Sequence, residues 1–406
     1  MVYCAAMPIP EVLLKSGVER PLRQGHPWVF SRAIKELKGS PQPGDVVRVR
    51  DNKGRTIAVG YYNPKSQIAV RILSRNPEQA IDAGFFRDRL EAAMARRAPF
   101  YDSEETDALR LIHAEADGLP GFVVDRYDSF LVVQCHTLGA ERLKDLLLDG
   151  LEESLAPRGI YERSDLGVRS YEGLATDTVG PLRGETPPAT IWIKENGMKL
   201  AVDIADGQKT GFYLDQRENR ALVRRVAAGR DVLNLFSYSC ATSVAAALGG
   251  AKSVISVDSD EGALALARAN VEINSLTMEN QELEQGNAAA LMKEHLAQGR
   301  RHDLVILDPP AFAKHRGALS AALRGYRYLN ANALRLLRKG GLLLTSSCSG
   351  LVTMEEFQRT LGQAATDSGV SVVQLGASYQ PFDHPVSPAF PEGRYLKTCL
   401  LAVAQA

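Results

Sequence analysis

Cysteine is sparse in this chain. Five thiols, at positions 4, 135, 240, 348 and 399 of 406 residues, never stand in pairs at short spacing. That argues against a disulfide framework and against a structural zinc site, and fits a reducing compartment, so a cytoplasmic location is expected. Long apolar runs are also missing. No stretch reaches the length needed to span a bilayer, and MVYCAAMPIP lacks the basic-then-apolar order of a secretory leader. Neither sign of charge is in excess, with 48 Lys and Arg against 48 Asp and Glu. His113 and His136 stand isolated and read as structural, and no metal site is expected.

The balance of charge hides an uneven distribution. Residues 1–80 carry 13 basic against 6 acidic side chains, and residues 81–190 carry 12 against 21. A basic first module on a neutral chain is a candidate footprint for a polyanion. Within it, residues 43–75 alternate with period two at Val47 and Val49 and are broken by turns at DNKG and NPKS, the pattern of a small β-barrel. RQGHPWVFS (Arg23–Ser31) sets aromatic among basic residues, a mixture that can stack on bases and hold phosphates. For Trp28 and Phe30 the favoured expectation is nevertheless that they fill the barrel core. A helix over 81–98, the DGLPG turn and further strands make residues 79–187 a mixed α+β module. TPPAT (Thr186–Thr190) marks a boundary, and from 188 to 406 strands and helices alternate as in a doubly wound α/β sheet. Val372–Tyr379 and Tyr395–Val403 are separated too briefly for a crossover helix and should pair antiparallel.

Two segments of this last region carry chemistry. LDPPAFAK (Leu307–Lys314) and SSCS (Ser346–Ser349) each follow an apolar run, with a helical stretch at Gly317–Lys339 between them. Strand, helix, strand predicts two parallel neighbours whose carboxyl ends open on one edge of the sheet, where ligands bind in such folds. Asp308, a Pro-Pro turn and Cys348 would then share a crevice. Asp258 ends the second strand, 21 residues beyond Ser237, where an acid can accept both hydroxyls of a ribose. The loop after the first strand, FSYSCATS (Phe236–Ser243), lacks G-x-G-x-x-G. That counts against NAD or FAD but not against S-adenosylmethionine, which has no phosphate to cradle. Asn287 lies where a third strand should end, suited to an adenine edge. Cys240 reads as structural.

Several ordered motifs spread over nearly the whole chain resemble those of one family: HPWVFS, DGLPG, KTGFYLDQR (Lys209–Arg217), LDPP, SCSG, DHP (Asp383–Pro385) and PEGRYLK (Pro391–Lys397). The chain is similar to the bacterial ribosomal RNA (cytosine-C5)-methyltransferases built from a PUA domain, a central α+β domain and a Rossmann-like methyltransferase domain, in particular those acting on large-subunit ribosomal RNA. The resemblance implies domains over 1–78, 79–187 and 188–406. It implies that Asp258 holds the ribose of S-adenosylmethionine with Phe236, Ser237 and Asn287 nearby, and that Tyr213, Gln216 and Arg217 lie in a stretch closing over it. Asp308 would stand between cofactor and base, and Cys348 would be the nucleophile. Arg23, His26, Trp28 and Lys314 are the candidate RNA contacts, and a homodimer is compatible with the reading. Family members usually carry glycines just after the first strand, where this chain has Ser239, Cys240 and Ala241, side chains expected beside the methionine end of the cofactor. Two alternatives remain at this point: an amino-group methyltransferase acting on adenine or guanine, and a non-catalytic RNA-binding protein.

Overall fold

The computed structural model describes residues 9–313 and 315–404. The chain divides into two compact units. One runs through Ile191 and includes residues 203–212 and 382–393; the other comprises 192–202, 213–381 and the residues from Arg394 on.

In the first unit, strands β1 (Glu11–Leu14), β2 (Trp28–Phe30), β3 (Ile34–Lys38), β4 (Val46–Arg50), β5 (Thr56–Tyr62) and β6 (Ile68–Ser74) form one sheet in the order β2-β6-β5-β4-β1-β3. Of these neighbouring pairs, only β1 and β4 run parallel. All six strands contribute to a single apolar core, including Val12, Val29, Val47, Val49, Ala58 and Val70, so the sheet curls around it. One expectation fails here. Val29 takes the inward face of β2, and because side chains alternate along a strand, Trp28 and Phe30 share the outward face. Phe30 is 48% exposed.

A second sheet in this unit has the order β11-β10-β9-β8-β7, from β7 (Ala108–His113), β8 (Phe122–Tyr127), β9 (Phe130–Cys135), β10 (Gly159–Ser164) and β11 (Thr178–Gly184). Helices Ala83–Arg97 and Leu138–Leu155 share its apolar core. The two distant segments are anchored here by polar contacts. Thr210 donates to Asp125 (2.6 Å) and meets the Tyr127 hydroxyl (2.8 Å). The Arg110 amide donates to Asp383 (3.0 Å), and the Arg97 guanidinium to the Asp383 carbonyl (2.9 Å). The DHP segment is therefore buried, with the His384 ring 2.8 Å from the Asp383 carboxylate and packed on His113.

Strands β12 (Ile191–Glu195) and β13 (Met198–Val202) form a ribbon turned by Asn196 and Gly197, both at positive φ as a tight hairpin requires. The main sheet of the second unit contains β14 (Asp231–Leu235), β15 (Ser253–Asp258), β16 (Gln281–Gln285), β17 (His302–Leu307), β18 (Leu337–Ser347), β19 (Val372–Ser378) and β20 (Lys397–Val403). Their order is β16-β15-β14-β17-β18-β20-β19. The first five are parallel, and β20 runs antiparallel to both neighbours. Helices cover both faces, which is why β14 and β17 are almost uninterruptedly buried. The chain lays β15 and β16 on one side of β14 and then returns to β17 on the other. That reversal opens a crevice at the carboxyl ends of β14 and β17.

Candidate active site

On one side of the crevice the loop after β14 is held in an uncommon backbone. Phe236, Tyr238 and Cys240 all have positive φ, at 61°, 48° and 59°. Three non-glycine residues in the left-handed region within five positions is a strained arrangement. Its hydrogen bonds show what holds it. The Ser237 amide donates to the Val257 carbonyl (3.0 Å), the Tyr238 amide to Asp258 Oδ2 (2.7 Å) and the Cys240 amide to the Ser237 carbonyl (2.9 Å). Asp258 Oδ1 accepts from the Asp260 amide (3.0 Å). Two main-chain donors thus fix a partly exposed carboxylate at the end of β15, with lone pairs left for further donors such as ribose hydroxyls. The amides of Ser237, Tyr238 and Cys240 are committed within the protein, which does not favour a pyrophosphate cradle at this turn. A nucleoside cofactor without phosphates fits this construction.

The side chains that replace glycine in this loop are buried. Cys240 is fully covered, packs with Leu264 and Ala267, and reaches Ser237 Oγ at 3.4 Å. Burial pushes its thiol up, consistent with a packed, unreactive cysteine. Ser239 is buried, and its hydroxyl has no partner among the described residues. Phe236 packs against the main core and Ser237 is buried. Asn287 is exposed and caps the Ala288–Ala297 helix, its Oδ1 accepting the Ala289 and Ala290 amides (3.0 and 3.1 Å).

On the other side, Asp308 follows β17 directly. Its Oδ2 accepts a hydrogen bond from Gln216 Nε2 at 2.7 Å. The Gln216 amide oxygen accepts from Asn219, whose NH2 also reaches Thr398 Oγ1 (2.9 Å), and Thr398 meets Ser346 Oγ (3.0 Å). A relay of polar side chains therefore ties Asp308 to β20 and to the end of β18. Cys348, one residue past β18, is partly exposed, with Sγ 3.9 Å from the Pro309 carbonyl. Thiol and acid stand on adjacent parallel strand ends. The turn carrying the thiol is clamped. Ser349 Oγ accepts the Ala313 amide (3.2 Å) and lies 3.0 Å from the Tyr326 hydroxyl, while its carbonyl accepts from Lys397 Nζ (2.6 Å).

Tyr213 links the halves. Burial, and then the neighbouring Asp308, Asp215 and Cys348, push its phenol well above the usual range, which places it in electrostatic reach of acid and thiol together. Its ring also lies edge-on to Tyr238 of the loop after β14, 5.3 Å between centroids. Arg217 is wholly buried, with Nε 3.5 Å from Glu195, a carboxylate that also takes two 2.6 Å bonds from Arg220. That pairing anchors the start of the Arg217–Val226 helix and with it Gln216 and Asn219. Asn219 and Thr398 lie outside the motifs read from the sequence, and Lys397 enters there only as the last residue of PEGRYLK, with no role of its own. The one signal for Asn219 was its spacing three residues after Gln216 at a helix start.

The candidate RNA residues of the first unit are only partly brought together. His26 and Trp28 cluster with Phe390, whose ring lies 4.6 Å from Trp28. Trp28 Nε1 donates to Glu115 (2.8 Å), and Arg71 stands over its ring at 5.4 Å. His26 Nε2 is 3.5 Å from Glu392. The exposed member of the group is Phe30. Arg23 is half-exposed and pairs with Asp51 at 2.8 Å. Lys314 lies outside the described residues. Cys135, Glu141 and Glu162 gather within 4.8 Å in the manner of a metal site, but Lys144 and Arg169 already hold both carboxylates. Among the described residues no helix is long and apolar enough to cross a membrane.

Comparison with known proteins agrees with this architecture. Residues 12–75 match the PUA-like domain family, and residues 174–362 match an S-adenosylmethionine-dependent methyltransferase family. The fold superposes on an S-adenosylmethionine-dependent methyltransferase from Streptococcus mutans with a TM-score of 0.84 and 26% identity, covering 98% of this chain and 100% of that one. It superposes equally well, at a TM-score of 0.85, 26% identity and the same coverage, on a methyltransferase crystallised in complex with SAH. Ribosomal RNA large subunit methyltransferase I of Yersinia pseudotuberculosis is 42% identical over 386 residues, spanning 95% of this chain and 97% of its own. The same identity and coverage hold for the Yersinia pestis protein. With a PUA-like module, a doubly wound sheet and this degree of identity along nearly its whole length, the chain belongs to the ribosomal RNA large subunit methyltransferase I family and uses S-adenosylmethionine.

Proposed function

We propose that the protein methylates carbon 5 of a cytosine in large-subunit ribosomal RNA through a covalent adduct with Cys348. The observation that carries the reading is the Cys348 thiol against the Pro309 carbonyl, one residue from Asp308. Carbon 5 of cytosine is a poor nucleophile. A thiolate adding to carbon 6 forms an S–C bond and shifts the ring electrons so that carbon 5 becomes nucleophilic. Asp308, its orientation set by Gln216, hydrogen-bonds the amino group and ring nitrogen as charge develops. S-adenosylmethionine, held through Asp258 and the Phe236–Cys240 loop, supplies the methyl group from its sulfonium. Once carbon 5 is alkylated, a base takes its proton, that electron pair restores the ring double bond, and the sulfur leaves with the pair of the S–C bond.

The amino-group alternative needs an aromatic ring free to sandwich the base beside the Pro-Pro turn. Ala311 follows Pro310, and Phe312 is turned into the core against Tyr326, 4.9 Å between centroids. The non-catalytic alternative draws on the substituted cofactor loop, but Cys240 is tucked beneath the loop instead of standing in the crevice. In the first unit, exposed Phe30 beside His26 and Trp28 supplies a stacking surface for unpaired bases, within a basic module suited to phosphates. A target base must leave its stack before the thiol can reach it, so a loop or partly open RNA is the expected substrate. The test is methylation of ribosomal RNA from a strain lacking the gene, with the product nucleoside identified by mass spectrometry. Wild-type protein should give 5-methylcytosine and Cys348→Ala none. An N-methylated purine, or full activity without the thiol, would overturn the reading.

A further inference from the structure

Lys397 is the first residue of β20 and is paired across the ladder with Ser347. Its side chain is buried, at 1% exposure. Its Nζ donates to two main-chain carbonyls, that of Ser349 at 2.6 Å and that of Tyr395 at 2.7 Å. Among the described residues it forms no ion pair with a carboxylate. An ammonium has three donors and a full charge, and two neutral carbonyls leave that charge uncompensated in a buried place. Such a site is stable only with an anion nearby.

Cys348 stands next to it and can become that anion. The carbonyl gripping the ammonium belongs to the residue that follows Cys348, and Cys348 is partly exposed at the crevice while Lys397 lies beneath. The other acid acting on Lys397 is Glu356, whose carboxylate is engaged in the cap of the Met354–Ser368 helix through the Thr353 amide and hydroxyl. We propose that Lys397 is a positioning residue: its ammonium is the fixed counter-charge of the Cys348 thiolate, and it holds the sulfur ionised and the turn in place for attack on the pyrimidine. This deepens the role given above to Cys348 and rests on it.

Electrostatics around the pair follow the same geometry. Burial pulls the Lys397 ammonium down to about 8, and Cys348 acts in the opposite direction, favouring the charged form. The groups facing the pair are Glu356 from its helix, Tyr326 from the Leu319–Arg335 helix, and Tyr213, Asp215 and Asp308 from the segments around the crevice.

The pair is tested by titrating the thiol directly in the full-length protein. Alkylation of Cys348 by iodoacetamide is followed against pH by peptide mass spectrometry, in the wild type, Lys397→Gln and Lys397→Arg. Removing the cation should move the inflection of the rate upward by about one unit or more, and keeping a cation in Arg should restore most of it. An unchanged inflection in folded Lys397→Gln would overturn the proposal. Should that variant fail to fold, the reciprocal measurement decides. Carbon-13 NMR of the Lys397 side chain in wild type and in Cys348→Ser should show the lysine midpoint falling by about one unit when the thiol is removed. An unmoved midpoint overturns the pair. Neither titration depends on methyl transfer, so loss of the nucleophile reading, through an active Cys348→Ala, is distinguishable from loss of the pair.

Discussion

The two sides of the crevice are built from different materials. The proposed cofactor side is held by main chain: amides of Ser237, Tyr238, Cys240 and Asp260 fix the loop and the Asp258 carboxylate. The chemical side is held by side chains, through the relay from Asp308 by Gln216, Asn219 and Thr398 to Ser346, and through the Ser349–Lys397 clamp beneath Cys348. A main-chain construction tolerates changes of residue type so long as the backbone can follow. A relay of specific amides and hydroxyls does not, because deleting one member leaves a buried partner unsatisfied. The contrast explains how a loop can exchange glycines for Ser239, Cys240 and Ala241 and still present Asp258 in order.

Substitutions that follow this division should differ in size. The largest effect falls on the chemical side. Cys348→Ala should lower kcat by roughly 10³-fold or more, since the covalent route has no other nucleophile, while binding of S-adenosylmethionine by calorimetry stays within about threefold of wild type. Next comes Asp308→Asn, isosteric but neutral, which should cost about 10²-fold in kcat by removing charge where the transition state develops it. Gln216→Ala leaves the acid in place and loosens it, and a loss of about tenfold in kcat is expected. A Gln216→Ala enzyme as active as wild type would show that the relay does not position Asp308, and the comparison between the two sides would lose its basis.

How much of this was legible in the sequence follows the same line. LDPP and SSCS stood out because each interrupts a buried parallel strand, and such runs are readable from apolar continuity alone. The place of Asp258 at the end of the second strand is readable from its spacing. The relay is not, because residues 216, 219, 346 and 398 meet only when β20 inserts antiparallel between β18 and β19. Asn287 reads as suited to an adenine edge, and its side-chain oxygen also caps a helix, a local role that the residue type favours equally. Hydrophobicity alone puts Phe30 in the core, whereas the alternation around Val29 turns it outward. The burial of DHP depends on Arg97 and Arg110, more than 270 positions away in the chain, and no local pattern encodes that.

The cofactor side should answer more mildly. Asp258→Ala removes a carboxylate acceptor and should raise KM for S-adenosylmethionine by about tenfold to a hundredfold with little change in kcat at saturation. The smallest effect is expected from restoring glycine at the strained position. Cys240→Gly relieves a left-handed residue, a gain of about 1 kcal/mol. It also gives up thiol packing against Leu264 and Ala267 and increases the freedom of the unfolded chain, losses of similar size. The melting temperature should therefore move by only a few degrees, in either direction, and S-adenosylmethionine affinity by less than about threefold. A marked tightening of cofactor binding in Cys240→Gly would mean that the side chain intrudes on the site after all. The loop would then be a compromise between packing and binding, and its tolerance of substitution would no longer follow from main-chain construction.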